Sequence, residues 1–206
     1  FALNTTDATY GDSPDRWMCS ALGNHASWTP SVASQAATGR LTSAPGKLTA
    51  GKRFGEVIIA FKNSAMYRGD YVGPPVIWSF SQIPGEVGAL CQEAVASVGT
   101  PDAPRLLFMG PYDFYSFDGS RPIPIGESWV KELVYGELLR SKQEQAIAQH
   151  DKATSNVYFY YPTTDSPNPD KCVVYNYRTG KWGRSDRQIE AAVEYIIPGM
   201  TYAQVG

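Results

Sequence analysis

Histidine, paired cysteine and charge of either sign are all scarce in this sequence, and each scarcity removes a class of function. Only His25 and His150 could act as neutral-pH bases. The three cysteines, Cys19, Cys91 and Cys172, are an odd number at wide spacing, which fits neither a disulfide framework nor a Cys-x-x-Cys metal pattern. They are expected to be small buried apolar residues of a protein that folds in a reducing compartment. Charged residues make up 18% of the 206 positions and the net charge is −2, so there is no cationic excess to hold a polyanion by counterion release. The longest apolar runs, such as Val57-Ile58-Ile59-Ala60-Phe61, fall far short of the ~20 residues of a membrane-spanning helix. The chain opens on Phe1 rather than Met, with neither the basic start nor the apolar core of a signal peptide, and is expected to be processed or part of a longer product. Gly-x-Ser-x-Gly, the phosphate-loop pattern and His-Glu-x-x-His are absent, and Gly51-Lys52-Arg53 is not a phosphate loop.

What the sequence does have is aromatics and turn formers. Tyr 13, Phe 8 and Trp 5 stand beside Gly 19 and Pro 15, a mixture that favours many short strands over long surface helices. Glu56–Lys62, Ala65–Val72 and Val76–Ile83 read as a three-strand meander broken at Asn63-Ser64 and Gly73-Pro74-Pro75. Leu90–Val98, Arg105–Met109 and Phe114–Phe117 repeat the arrangement, with turns at 99–104, 110–111 and 118–119. A third set follows at Asn156–Tyr161, Lys171–Tyr177 and Lys181–Arg184. The stretch Tyr175-Asn-Tyr-Arg-Thr-Gly-Lys-Trp182 is a hairpin by its chemistry, with glycine where a positive φ is required. One interruption breaks the pattern: Trp129, Leu133, Val134 and Leu138 sit at helical spacing behind Ser128, which predicts a helix near 129–140 with Ser128 as N-cap.

Self-similarity organises these pieces. Cys19, Tyr67, Tyr115 and Tyr175 occupy similar positions in strand-and-turn modules at intervals of 48, 48 and 60 residues, the last enlarged by the helix. A period near 50 with three or four strands per unit is that of β-propeller blades; a β-sandwich with regular turns is the plainer alternative. The expected fold is therefore all-β, a propeller of about four blades made of antiparallel meanders with one inserted helix, and complete or partial. Residues 1–190 are assigned to the blades, and 191–206 to a C-terminal strand or an extension leading out of the propeller.

Candidate chemistry is thin. His150-Asp151 would point to opposite faces of a strand, and His25 lies in a turn-like Gly23–Ser27 segment. Asp113, Asp118, Asp151, Asp165 and Asp170 could supply the two acids of a glycosidase, although several stand in ordinary turn sequences. Tyr158-Phe159-Tyr160-Tyr161 reads as half a sugar platform or as a strand buried on both faces. Lys171, Arg178, Lys181, Arg184 and Arg187 form a mild basic concentration expected to be a solvated face. No catalytic, cofactor-binding or metal-binding residue is assigned.

The succession Trp28-Thr-Pro30, Ile59–Ser64 with Met66-Tyr-Arg68, Tyr71–Pro75, Phe114–Gly119 and Val174–Trp182 resembles the β-propeller structural proteins of tailed bacteriophages, including the nozzle, or packaged-DNA stabilisation, proteins of short-tailed phages. The resemblance runs from about Trp17 to Trp182 in the same module order. It implies a virion tail component without catalysis or cofactor, assembled in the host cytoplasm. Such a component forms a ring, commonly of six copies, that joins portal and adaptor proteins to tail fibre or needle proteins. The ring surrounds the channel through which viral DNA passes without tight binding, and no membrane span is implied. A carbohydrate-directed tail propeller, receptor-binding or glycan-cleaving, is the alternative.

Overall fold

The computed structural model describes residues 1–100, 102–163, 166, 168–185 and 189. Among these the fold is all-β with one α-helix, and its strands form four antiparallel sheets. The first sheet has three strands, β1 (Ala2–Asp7), β2 (Gly11–Cys19) and β3 (Ala37–Arg40). The second contains β4 (Leu48–Phe54), β5 (Val57–Lys62), β6 (Met66–Gly73) and β7 (Ile77–Gln82). The third contains β8 (Val95–Thr100), β9 (Ala103–Met109), β10 (Phe114–Phe117) and the two-residue β11 (Ile123–Pro124). The fourth contains β12 (Ile147–Asp151), β13 (Asn156–Pro162), β14 (Pro169–Asn176) and β15 (Lys181–Ser185). Within every sheet each strand pairs with its neighbour in sequence, so each sheet is an up-and-down meander.

The central strands explain why the sequence carries continuous apolar runs rather than alternation. In β9, Leu106 and Phe108 face the second sheet while Leu107 and Met109 face the fourth, and all four are buried. In β5, Ile59 and Phe61 point toward the third sheet and Ala60 toward the first. A strand with a sheet on either side must be apolar on both faces. Three apolar layers result. Trp17, Cys19, Leu48, Ala60 and Tyr67 join the first sheet to the second. Phe54, Phe61, Met66, Phe108 and Phe117 join the second to the third. Phe114, Phe159, Tyr161 and Val173, with Val130 and Val134 of the helix, join the third to the fourth. The first strands of consecutive sheets also adjoin one another: β1 lies beside β4, β4 beside β8 and β8 beside β12.

Several expected elements shift in detail. Strand β8 starts at Val95, after a 3-10 turn at Gln92–Ala94, rather than at Leu90. The 99–104 turn shrinks to a tight connection, because Gly99 pairs with Pro104 and Thr100 with Ala103. The helix α1 spans Ser128–Glu137, and its N-cap is Glu127, which makes no side-chain cap. Its buried stripe is Val130 and Val134; Trp129 is instead 42% exposed and donates its indole N–H to Glu127. The helix ends early because Leu138 turns away to bridge Thr163, and a 3-10 segment, Arg140–Gln145, follows. The 175–182 hairpin forms as expected, with Gly180 at φ 70 and the Asn176 side chain accepting from the Arg178 and Thr179 N–H groups. Tyr67, Tyr115 and Tyr175 lie on the third strands of their sheets, whereas Cys19 lies on the second strand of the three-stranded sheet.

One polar group is sealed into the first layer. Lys62 is 1% exposed and its ammonium donates to the Ala44 carbonyl at 2.6 Å, near the Asp15–Arg40 pair, which is joined by contacts of 2.8 and 2.9 Å. Burial lowers the Lys62 pKa below its ordinary 10.5, and the Asp15 carboxylate only partly opposes this. The charged form is thus penalised in the folded state, and stability gains as pH rises through the lowered value toward 10.5. Lys62→Met is expected to remove that alkaline gain and to raise stability at neutral pH. Urea unfolding of both proteins across the alkaline range checks this; a parallel pair of pH profiles would refute it.

Candidate functional site

The segments that lead into the four sheets converge. Asn4 of β1, Gly46–Thr49 at the start of β4, Leu90 and Cys91 ahead of β8, and Gln143 and Glu144 ahead of β12 line one cavity of about 300 Å³, together with Asn63. Hydrogen bonds stitch these segments together. The Thr49 hydroxyl donates to Ala89 O at 2.8 Å, and the Cys91 thiol donates to Ala146 O at 3.2 Å. The Gln92 amide accepts from Gly51 N–H at 2.8 Å and donates to Gly51 O at 3.1 Å, so a side chain occupies the outer ladder positions of β4. Burial pushes the Cys91 thiol up to about 11, which keeps it protonated and unreactive at neutral pH.

Charge along the convergence is balanced. The four first strands carry Lys52 and Arg53 against Asp7 and Asp151, with Thr5, Thr6, Thr49, Ser97, Thr100 and Gln149 as uncharged polar positions. Sequence reading did not single out Asn4, Thr49 or Gln92. Their only shared signal is position near the entry to a sheet, and that becomes visible once the strand boundaries are placed.

The residues singled out for chemistry are dispersed and locally engaged. His25 is exposed in its turn, and His150 shares a hydrogen bond with the Tyr177 hydroxyl at 3.1 Å. Asp118 accepts from the Ser120 hydroxyl and N–H, and Asp151 from the Thr154 hydroxyl and the Ala153 N–H. These bonds hold both carboxyls below their ordinary value, the opposite of what a glycosidase proton donor needs. Asp170 is bound by Thr163 through N–H and hydroxyl, both at 3.0 Å, and Asp165 lies outside the described residues. Phe159 and Tyr161 are buried in the third layer, while Tyr158 and Tyr160 stack on the other face with centroids 6.3 Å apart. The strand is thus covered on both sides at Phe159–Tyr161. Arg178, Lys181 and Arg184 are exposed, Lys171 is half-buried, and Arg187 lies outside the described residues. Among the described residues no cluster of three or more His, Cys, Asp or Glu could hold a metal ion.

Asp113 is the most connected of these carboxylates, and its work is structural. It accepts from Phe114 N–H at 2.7 Å and Gly126 N–H at 3.2 Å, and pairs with Lys131 at 3.2 Å. Above it the Tyr135 hydroxyl sits between the carbonyls of Gly110 and Asp113, and burial raises its pKa far above the tyrosine range. The group ties the β9–β10 turn to the start of α1. Asp113→Ala leaves two backbone donors without their acceptor and is expected to cost about 2–3 kcal/mol in denaturant unfolding. Asp113→Asn, which retains one acceptor oxygen, is expected to cost less than half as much. No family model matches this chain, and neither does any curated protein.

Proposed function

We propose that this chain is a structural component of a bacteriophage tail, a β-propeller of nozzle type that acts by assembly rather than chemistry. The observation that carries the reading is the stack of four sequential antiparallel meanders, whose first strands adjoin and whose faces meet through three apolar layers. This is the arrangement expected of blades set around a common line. The motif order that resembles nozzle proteins, and the balance of charge on the first strands, support a conduit for DNA. In this reading copies of the chain form a ring of about six between portal or adaptor proteins and the distal tail.

Exposed Tyr112 and Trp129, at 77% and 42%, favour a second reading in which the propeller engages host glycans. Co-expression of this chain with portal, adaptor and distal tail proteins, followed by mass measurement and electron microscopy, tests the first reading. A closed ring at the portal end supports it, and a persistently monomeric product sinks it. A glycan array together with a reducing-end assay tests the second. Sugar binding or cleavage lost on mutation of these rings or of a paired carboxylate would replace the structural reading.

A further inference from the structure

We propose that β7 pairs edge to edge with β7 of a second copy of this chain, antiparallel about a two-fold axis, so that two four-stranded sheets join into one. Each sheet ends on a strand whose outer side has no strand partner among the described residues: β3, β7, β11 and β15. Three of these are blunted against pairing. Strand β3 has four residues and ends in Arg40, β11 has two and contains Pro124, and β15 carries Lys181 and Arg184. Strand β7 has six residues, Ile-Trp-Ser-Phe-Ser-Gln, with neither charge nor proline. The alternation of its backbone is fixed by Ile83, which donates its N–H to Met66 O at 2.9 Å. Ser79 and Ser81 therefore bond β6, and Phe80 and Gln82 turn their N–H and C=O groups outward.

Charge, pattern and size make the occupant a second copy. Residues 71–85 contain no Asp, Glu, Lys or Arg, and neither do residues 19–39, in a chain where these types make up 18%. The two segments meet: Tyr71 donates its hydroxyl to the Gln35 side chain, and Leu22, Gln35, Tyr71 and Trp78 line one groove of about 250 Å³. Twenty of their residues are exposed, Leu22, Tyr71, Val72 and Val76 among them, which matches the roughly 20–30 residues a side of a standard interface. A surface without charge offers a charged partner nothing for the water it would lose, whereas it meets itself without like-charge repulsion. The strand is also self-complementary. With the axis through Phe80, that ring faces its own counterpart, Ser79 faces the other copy's Ser81 and Trp78 faces its Gln82, so no opposed pair is charged. The Trp78 N–H is already on Val76 O at 2.9 Å, which leaves Phe80 and Gln82 as the donors of the new ladder. An isologous contact of this kind closes after two copies. It is distinct from the contacts of a ring and stands whether or not the chain belongs to a phage tail.

Sedimentation and hydrogen exchange of the 206-residue chain alone, from about 1 to about 100 μM, test it. A dimer is expected at the upper end, with the Phe80 and Gln82 amides exchanging at least about 10-fold more slowly there than at the lower end. Ser79→Lys with Ser81→Lys sets lysine opposite lysine and is expected to weaken the dimer at least about 10-fold, whereas Ser79→Thr with Ser81→Thr retains it. A Ser79→Cys chain mixed with a Ser81→Cys chain is expected to cross-link between copies, because opposed residues of a non-hydrogen-bonded pair have Cα atoms about 4.5 Å apart, within disulfide range. That pair decides the matter if the lysine variant does not fold. A chain that stays monomeric, a dimer indifferent to the lysines, or the absence of the 79–81 cross-link overturns the proposal. So does protection of Phe80 and Gln82 that ignores concentration, since another part of the same chain would then cover the edge. Protection that requires added portal, adaptor or distal tail proteins overturns it too, in favour of a different partner.

Discussion

Phe114→Ala is expected to lower the unfolding free energy by about 3–5 kcal/mol, a large share of the total for a domain of this size. The ring is fully buried where three elements meet. Its centroid lies 4.7 Å from Trp182 of β15, 4.9 Å from Phe159 of β13 and 5.7 Å from Tyr135 of α1. Truncation removes the transfer free energy of the side chain and leaves a cavity that rigid neighbours cannot fill. Trp182 is held by its indole N–H on Ile125 O at 2.8 Å, and Tyr135 by the carbonyls of Gly110 and Asp113. The layer between the third and fourth sheets therefore has little freedom to collapse, which puts the expected loss toward the upper end. Urea unfolding followed by tryptophan fluorescence and far-UV dichroism measures it. A loss below about 1 kcal/mol would show that this layer is looser than its geometry implies.

The second large effect is expected at Gly88. A β-carbon built there would lie 1.6 Å from the Lys62 carbonyl oxygen and 2.9 Å from the Asn63 carbonyl carbon. Both are backbone atoms of the β5–β6 turn, which is closed by Lys62 N–H to Ala65 O at 2.8 Å and receives Ala89 N–H on the same Lys62 oxygen at 3.1 Å. Relief demands that the link between the second and third sheets move away from the turn it is bonded to. Gly88→Ala is expected to cost about 3 kcal/mol or more. Gly136→Ala is the internal control: it sits in α1 with nothing within 4 Å of the added carbon, and is expected to stabilise by about 0.5–1 kcal/mol. Opposite signs for the same chemical change, read as shifts in urea midpoint, would establish close backbone approach at Gly88; a mild effect at both would refute it.

The strands most legible in the sequence are those whose own side chains build two layers. Val57–Lys62, Met66–Gly73, Asn156–Pro162 and the 175–182 hairpin are dense in β-branched and aromatic residues and end at glycine, proline or asparagine, so local propensity and burial point the same way. Strands β1, β3, β4 and β12 carried no such signal. Ala2–Asp7 is largely polar, and Leu48–Phe54 contains Gly51, Lys52 and Arg53, poor strand formers in isolation. They become strands through their neighbours: Leu3 packs where a β-carbon on Gly51 would stand, and β4 gains its second edge from the Gln92 side chain. The helix was visible from its apolar spacing, but its inward stripe and its cap were not. Val130 and Val134 are fully buried in the layer that holds Phe114 and Trp182, whereas Trp129 lies half-exposed with its indole N–H on Glu127.

The sequence by itself determined the all-β character, the approximate period and the absence of the common catalytic motifs, because these depend on residue type and short-range spacing. The odd number and wide spacing of the cysteines likewise foretold their environment: all three are buried. Only the tertiary structure decided which faces meet, that Lys62 is sealed under Ala44, and that Asn4, Thr49, Cys91 and Glu144 line one cavity. These residues come from segments some forty to fifty residues apart, and no local energy term links them. They are brought together by the stacking of apolar sheet faces, a non-directional force whose outcome depends on the shape of the whole chain.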